Sequence, residues 1–217
     1  MTRKERAVKI ARRLAEIYPD AYCELDHQSP FQLLVATVLS AQCTHKRVNI
    51  VTKELFKKYP TVEKLAKVSQ EELESLIHST GFYRNKAKNI LALSKAILTH
   101  HHGEVPRTME ELSALPGVGR KTANVVLGNA FGINEGFVVD THVARLAKRW
   151  KLTSHTDPVK IEQDLMKLFP RSEWMRLSHQ IIWHGRRRSF ARNPDYKNCE
   201  LSDLCPSCKI ENGKHGE

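Results

Sequence analysis

Apolar residues recur three and four positions apart along almost the whole chain. The first segment carries Ala7, Ile10, Leu14 and Tyr18 on one side and basic residues on the other, which predicts an amphipathic helix. The segment 31–39 is almost wholly apolar and follows a serine and a proline, so we expect a buried helix with proline at its first position. Strand-like alternation is not found, and the pattern predicts an all-α protein of about ten helices joined by short loops.

Polar residues mark where several of these helices begin. Ser69 with Glu72, and Thr108 with Glu111, have the spacing of a capping box, in which side chains satisfy the free backbone amides of a helix start. An aspartate followed by a proline at 157–158 predicts a further helix start. These starts separate the short helices that the apolar pattern predicts.

The charge balance narrows the range of partners. The 217 residues include 35 Lys and Arg against 24 Asp and Glu, a formal net charge of +11 with a sequence pI near 9.5. Hydrophobic residues make up 41%, which excludes wholesale disorder, and no apolar run approaches the roughly 18 residues of a membrane span. The N-terminus has no apolar signal stretch, so we expect a soluble intracellular protein whose leading partner is nucleic acid.

The most informative motif is Leu-Pro-Gly-Val-Gly-Arg-Lys-Thr-Ala at 115–123, between a short capped helix and an apolar helical segment. Gly117 and Gly119 permit a tight turn and a close approach of the backbone to a ligand. The amides that follow them lie at a helix start, where the helix dipole favours an anion. For a basic protein the natural anion is a DNA phosphate, and the pattern is typical of a helix-hairpin-helix.

Two residues, one in this motif and one after it, could carry chemistry. Lys121 lies near the start of the second hairpin helix, where the dipole disfavours an ammonium, so a neutral and nucleophilic amine is favoured. Asp140 precedes an amphipathic helix. On structure alone Asp140 is an N-cap, but a capping carboxylate can also stabilise positive charge or orient water at a reacting carbon.

Five motifs together resemble one protein family. In chain order they are Leu39–Thr44, Gly81–Ala87, Leu115–Ala123, Val139–Val143 and His184–Arg186. Over essentially the whole chain their order and spacing are similar to the endonuclease III family of bifunctional DNA glycosylases and AP lyases. The resemblance implies a two-lobed helix-hairpin-helix glycosylase fold with a cleft for DNA between the lobes. A six-helix lobe would span 22–133, with the hairpin at 108–130, and the second lobe would combine 1–21 with 134–217.

The resemblance also implies a reaction. The Lys121 amine attacks C1′ of a damaged pyrimidine nucleotide that is flipped out of double-stranded DNA, the base departs, and the Schiff base allows a β-elimination that nicks the strand. Asp140 supports the departing base and the developing positive charge. Gln42 fills the space left by the flipped nucleotide. Phe82 occupies the position of an apolar wedge, where the family often has leucine, although such a residue by itself is more often part of a core.

Other residues are assigned by the same resemblance or by their charge. His45 would lie at the lesion pocket, where the family commonly has aspartate. We expect a DNA-binding monomer in the cytoplasm, associated with the nucleoid and not with a membrane. The further DNA-binding residues are Arg84, Gly117, Gly119, Arg120, Thr122, His142, Arg145 and Arg186, with additional phosphate contacts among Lys86, Lys88, Lys148, Arg187 and Arg188.

The chain departs from the family at its C-terminal cysteines. The family usually ends with four cysteines that hold a 4Fe–4S cluster. Here the segment 189–208 is a degenerate cluster loop, because the four positions, aligned without gaps, are Ser189, Tyr196, Cys199 and Cys205. Two thiolates cannot fill four iron positions, so the prediction favours no metal, with Tyr196 and Phe190 filling the volume of the cluster.

Alternatives to this interpretation stay open. A cluster could persist with altered ligands, or Cys208 and His215 could complete a zinc site with the two remaining cysteines. The alternative function is a non-catalytic helix-hairpin-helix DNA-binding protein derived from this family, in which activity was lost together with the cluster. The presence of both Lys121 and Asp140 favours the enzyme.

Overall fold

The computed structural model describes residues 1–208, and within them the chain is helical. Eleven α-helices and two 3-10 turns follow one another, and no β-strand occurs in this part of the chain, which confirms the all-α prediction. None of the helices described combines the length and the hydropathy needed to cross a membrane. The helices are α1 (Arg3–Ile17), α2 (Pro30–Leu39), α3 (His45–Lys58), α4 (Val62–Leu65), α5 (Gln70–Ile77), α6 (Tyr83–His101), α7 (Met109–Ala114), α8 (Arg120–Phe131), α9 (Thr141–Arg149), α10 (Pro158–Leu168) and α11 (Trp174–Arg187), with 3-10 turns at His78–Thr80 and Arg171–Glu173.

The chain forms two compact units. The hairpin unit is Cys23–Glu135 and contains α2 to α8. The terminal unit consists of Met1–Tyr22 and the chain from Gly136 onward, and it contains α1 and α9 to α11. Each unit has its own buried apolar residues. The core of each unit therefore positions the candidate functional residues that lie in that unit.

Helix α2 runs through the interior of the hairpin unit. Its N-cap Ser29 accepts a hydrogen bond from Gln32 N, and Pro30 is its first residue, as the sequence predicts. Every residue from Phe31 to Leu39 is buried, and α2 packs against α3, α6 and α8. A helix that is apolar all round has to lie inside a core, so the helices that carry the candidate residues are held against α2.

The terminal unit is built around α11, which packs against α1 and α9. Trp150 and Phe137 are the largest side chains that this unit buries completely. The extended segment before α9 is fixed by Ser178, whose Oγ accepts a hydrogen bond from Val138 N at 3.1 Å. The start of α9, and with it Asp140, is thereby held against the core.

The N-caps expected from the sequence are confirmed, but Glu72 and Glu111 do not return the second bond of a capping box and accept instead from the hydroxyls of Tyr59 and Thr108. Ser69, Thr108 and Asp157 each accept a hydrogen bond from the backbone amide three residues later, at the starts of α5, α7 and α10. Such bonds satisfy amides that have no partner within the helix. Local sequence therefore determines where these three helices begin.

Candidate active site

The hairpin turn joins α7 to α8 in the hairpin unit. Gly117 has a φ of +75°, in the left-handed region, and the turn is closed by a hydrogen bond from Val118 N to Leu115 O at 3.1 Å. A Cβ at Gly117 would lie 2.7–2.9 Å from atoms of the Asn89 side chain. Both the backbone angle and the close packing therefore require glycine.

The start of α8 is open to a ligand. Its N-cap, Gly119, has no side chain with which to bind the first-turn amides, and a Cβ built there meets no atom within 4 Å. Arg120 and Lys121 are exposed in the first turn, and Thr122 is half-buried. A helix start without a capping side chain, beside exposed basic side chains, can bind a phosphate, and the Lys121 amine is accessible to a substrate.

Asp140 is the N-cap of α9 in the terminal unit. Its Oδ1 accepts hydrogen bonds from the amides of His142 and Val143, both at 2.8 Å. Because both bonds fall on Oδ1, Oδ2 accepts none from the residues that the structure describes. The same carboxylate can therefore cap the helix and act on a ligand.

Two exposed side chains in the hairpin unit lie on strained backbone. Gln42 has a φ of 53° and Phe82 a φ of 47°, and the Phe82 residue is 66% exposed. Left-handed geometry costs a residue other than glycine about 1–3 kcal/mol, and it persists where the surroundings fix it, often at functional sites. The exposure excludes a core role for Phe82 and suits an apolar wedge.

Lys86 contradicts the sequence prediction of a phosphate contact. The residue is only 5% exposed, and its Nζ donates to Leu39 O and Thr80 O, both at 2.8 Å. Burial lowers the pKa of the amine, and the nearby Cys43 partly counteracts this. The ammonium is committed to backbone carbonyls inside the unit, so the prediction for Lys86 was wrong.

Three further candidates stay predictions. Arg84 is exposed near the start of α6, with its Nε 4.0 Å from Glu74 Oε2. Arg186 is half-buried near the end of α11, and His45 is half-buried as the first residue of α3. Their positions at or near helix ends are compatible with the contacts that the sequence predicts.

Two arginines on α9 bind the last turn of α11 and the chain that follows it. Arg145 Nη2 donates to Gly185 O at 3.1 Å and Ser189 O at 2.9 Å. Arg149 Nη1 donates to Ser189 Oγ at 2.8 Å, and its guanidinium also binds the carbonyls of 189–191. The sequence prediction missed Arg149 and gave Arg145 only a DNA contact. The available signal was their spacing, since residues four apart share one helix face.

His142 is also engaged within the terminal unit. Its Nδ1 lies 3.1 Å from Arg145 Nη2, and burial lowers the pKa of the imidazole although Asp140 opposes this. A Cβ at Gly185 would lie 2.9 Å from His142 Nδ1. Close packing by α11 therefore sets the position of the His142 ring, and its DNA contact stays a prediction.

The four positions expected to hold a 4Fe–4S cluster do not fit one. Such a cluster needs four thiolates, but Ser189 presents a hydroxyl bound to Arg149 and Tyr196 packs against the core of the terminal unit. Burial raises the pKa of the Cys199 thiol to about 11. Within residues 1–208, no group of three or more His, Cys, Asp or Glu side chains could hold a metal ion. Phe190 was expected to fill the cluster volume, but it is 41% exposed, so that expectation was wrong.

A buried chain of hydrogen-bonding groups lies beside Cys199. His184 Nδ1 is 3.2 Å from Tyr18 Oη, and His184 Nε2 is 3.5 Å from Cys199 Sγ. Burial lowers the pKa of His184 to about 4 and raises that of Tyr18 to about 12. All three groups are therefore neutral at pH 7, and the contacts join α1, α11 and the cysteine segment.

The zinc alternative depends on residues at the end of the described chain. Cys208 Sγ lies 3.9 Å from Tyr196 O, and Cys205 Sγ lies 3.9 Å from Arg149 O. These two thiols are thus directed to different carbonyls. His215, the fourth ligand of that alternative, lies outside the described residues.

Comparisons with known proteins point to one family. Residues 35–171 match the family described as HhH-GPD superfamily base excision DNA repair protein. The chain is 55% identical over 208 residues to endonuclease III of Synechocystis sp., which covers 96% of this chain and 95% of that protein. A solved non-covalent endonuclease III–DNA complex matches with a TM-score of 0.94 at 45% identity, covering 98% of this chain and 100% of that chain. A trapped covalent endonuclease III–DNA intermediate matches with a TM-score of 0.93 at 46% identity, with the same coverage.

Replacing Gly117 by alanine should destabilise the hairpin unit. We expect Gly117→Ala to lower the free energy of unfolding by about 2–4 kcal/mol, because a Cβ at positive φ costs about 1–2 kcal/mol and overpacking against Asn89 adds to it. Urea unfolding followed by circular dichroism measures the change.

The matched control is Gly119→Ala, where the added Cβ meets open space. It should cost at most about 1 kcal/mol, the preference of an N-cap for glycine over alanine. Combining Gly117→Ala with Asn89→Ala should recover only the part due to overlap. Equal losses for the two alanine variants would contradict this explanation of the turn.

Proposed function

Because this chain belongs to the endonuclease III family of HhH-GPD base excision repair proteins, we propose that it is a bifunctional DNA glycosylase and AP lyase that removes damaged pyrimidines from double-stranded DNA. One observation carries the proposal. An exposed lysine, Lys121, directly follows the hairpin turn in a chain 46% identical to an endonuclease III trapped as a covalent DNA intermediate. Lys121 is the nucleophile, and Asp140 is the carboxylate that assists it.

Lys121 acts through its neutral amine. Nζ forms a bond to C1′ while the bond from C1′ to the base breaks, and the base leaves with the bonding electrons and takes up a proton. The amine loses a proton and the sugar ring opens, which gives a protonated Schiff base. Removal of a proton from C2′ then expels the 3′ phosphate by β-elimination and nicks the strand. Hydrolysis of the Schiff base returns the free amine.

Asp140 supplies a fixed negative charge. Positive charge develops on the sugar as the base departs, and a carboxylate stabilises that charge. Two backbone amides hold Oδ1 at 2.8 Å each, so the group needs little reorganisation during the reaction. Its helix-capping role and its proposed catalytic role thus use the two oxygens separately.

The DNA has to be held and opened before this chemistry. Phosphate contacts at the open start of α8 position the duplex without reading its sequence. Flipping a nucleotide costs a few kcal/mol, and least at a damaged pair. Gln42 fills the vacated space and Phe82 enters the stack as a wedge. The remaining proposed contacts are Arg84, Arg120, Thr122, His142, Arg145 and Arg186, with His45 at the lesion.

The non-catalytic alternative is not favoured. In a protein that only binds DNA through its hairpin, Lys121 would be a phosphate contact and Asp140 only the N-cap of α9, and nothing would use the amine as a nucleophile or the second carboxylate oxygen. Both residues are present, the first on an accessible helix start and the second with one oxygen available to a ligand. Catalysis gives a use to both the amine and the second oxygen, which binding alone does not.

We further propose that the protein holds no 4Fe–4S cluster and that Arg149 takes over its structural role. The Arg149 guanidinium donates to one hydroxyl and three carbonyls of 189–191 and lies 6.0 Å from the centre of the Tyr196 ring. Hydrogen bonds from a charged donor each contribute about 1.5–3 kcal/mol. The planar fork can cross-link α9 to this loop, as thiolate–iron bonds would otherwise do.

Covalent trapping tests the nucleophile. With borohydride and a duplex containing thymine glycol or an abasic site, the protein should form a covalent adduct on a denaturing gel, because the reductant fixes the Schiff base. Lys121→Ala should reduce the adduct at least about 1,000-fold, whereas Lys160→Ala, at an exposed lysine of α10, should leave it unchanged. Failure of the unmodified protein to form an adduct with any damaged substrate would favour the non-catalytic alternative.

Asp140→Asn separates capping from catalysis. The amide oxygen can still accept from both α9 amides, so the free energy of unfolding should change by less than about 1 kcal/mol. Single-turnover base release should slow about 100-fold because the negative charge is lost, with little change in affinity for undamaged duplex. Asp157→Asn, the same substitution at the N-cap of α10, should leave base release intact. Unaltered base release in Asp140→Asn would refute the assigned role.

Metal analysis and Arg149→Met test the proposed replacement of the cluster. Purified protein should lack stoichiometric iron and an absorbance band near 400 nm, and a chelator should not shift its melting temperature. Arg149→Met should lower the free energy of unfolding by about 2–3 kcal/mol, less than four full bonds, because the bonds to Phe190 and Ala191 are exposed to water. Arg192→Met, at an exposed arginine of the same loop, should have little effect. Stoichiometric iron would overturn the proposal, and stoichiometric zinc would support the zinc alternative.

A further inference from the structure

The strained turns that present Gln42 and Phe82 share one buried contact, the Lys86 ammonium. We propose that Lys86 is a positioning residue that holds both turns in one arrangement, so that Gln42 and Phe82 enter a duplex as a unit. This inference rests on the proposed function, since that function supplies the duplex that the two side chains open. Lys86 itself is buried and acts only through the backbone.

Lys86 donates its two hydrogen bonds to carbonyls at the ends of two helical segments. Leu39 is the last residue of α2, and Thr80 is the last residue of the 3-10 turn His78–Thr80. Carbonyls at a helix end lack partners within the helix and carry partial negative charge. Nζ donates to both carbonyl oxygens at 2.8 Å. One cation therefore satisfies both ends and fixes the distance between them.

Both exposed side chains follow these anchored carbonyls closely along the chain. Gln42 lies three residues after Leu39, and Phe82 lies two residues after Thr80. Each has a left-handed φ, and Gly81 between the anchor and Phe82 has a φ of 70°. Such strain persists only where the surroundings over-determine the backbone. The Lys86 bonds are a constraint of this kind at the start of each turn.

The charge of Lys86 is retained in an unfavourable place. Among the described residues it forms no salt bridge with a carboxylate, and burial of an ammonium without a counter-charge is costly. A methionine of similar length would fill the same volume if α6 needed only apolar packing at this position. The presence of a charged donor indicates that joining the two carbonyls is what this position requires.

The next turn of the same helix supports the hairpin. Asn89, three residues after Lys86 on α6, packs so closely against Gly117 that a Cβ there would overlap it. Residues three apart lie on neighbouring parts of one helix face. A single face of α6 thus contacts all three turns of the hairpin unit that are proposed to meet DNA.

A shared anchor has an energetic consequence. If one turn shifts, the Lys86 ammonium shifts with it, and the second turn loses its constraint. Loss of Gln42 should therefore matter less once Phe82 is already gone, because the joint insertion has failed. Independent turns would instead give losses that multiply, as expected for sites that share no partner.

The first experiment measures this coupling without altering Lys86. Gln42→Ala, Phe82→Ala and the double variant are compared in single-turnover base release from a thymine-glycol duplex. We expect the double variant to be about tenfold more active than the product of the single losses predicts. Multiplicative losses would overturn the inference. These substitutions are on exposed side chains, so the test does not depend on a variant with a disrupted core.

The second experiment removes the anchor. In a Lys86→Met background the coupling should disappear, and base release from the duplex should fall about 20-fold. Borohydride trapping on a single-stranded abasic oligonucleotide, which needs no duplex opening, should stay within twofold. Lys86→Arg keeps a cationic donor and should restore part of the duplex activity, and Lys95→Met, at an exposed lysine of α6, should match the unmodified protein. An equal loss on both substrates would mean that Lys86 is only structural, and the inference would fail.

A third measurement separates this inference from the proposed function. The single and double Gln42 and Phe82 variants are also compared in affinity for a duplex with a non-reactive tetrahydrofuran abasic analogue. If the unmodified protein forms no covalent adduct but the variants remain coupled in binding, the proposed function is wrong and the role of Lys86 stands. If trapping succeeds and the binding losses are additive, the proposed function stands and the role of Lys86 is wrong.

Discussion

A helix leaves its first amides and last carbonyls without partners, and this constraint governs each proposed functional position. The start of α8 has no capping side chain, and its Gly119 N-cap leaves space for an anion. The amides at the start of α9 are bound by one oxygen of Asp140. The carbonyls that end α2 and the 3-10 turn before Phe82 are bound by Lys86. Whether a helix end is left open, capped by an acid or joined to another end therefore determines what it can do.

Much of the fold and site could be predicted because the signals are local. The cap at Ser29, the turn at Gly117 and the cap at Asp140 each depend on residues within a few positions. The prediction that Lys86 contacts phosphate was wrong because burial depends on what packs against α6. The helix period could have shown part of this. Residues 84 and 88 are four apart and share a face, whereas residue 86 points away from it. Positive charge alone predicts a DNA contact for all three residues, whereas the helix period separates Lys86 from Arg84 and Lys88.

Arg149 shows a limit of a different kind. Its partners lie about 40 residues further along the chain, and no local rule connects α9 with that loop. The cysteines likewise have partners that no local rule predicts. Cys199 Sγ lies beside His184 Nε2, and the Cys205 and Cys208 thiols are each directed to a backbone carbonyl. Ser189 and Tyr196 at two of the family's ligand positions were visible in the sequence. The hydrogen bonds from Arg149 to that loop, on which the proposed replacement rests, are visible only in the folded structure.

The Arg149 guanidinium also has a consequence for how the protein matures in a cell. Iron–sulfur centres have to be assembled and inserted by dedicated proteins, and oxidants dissolve them. A guanidinium arrives with the polypeptide and is inert to peroxide and superoxide. If no cluster is bound, as proposed, a lobe cross-linked by Arg149 can fold as soon as it is translated, even when iron is scarce. Peroxide and superoxide, which also generate oxidised bases, would then find no metal centre to attack in this lobe.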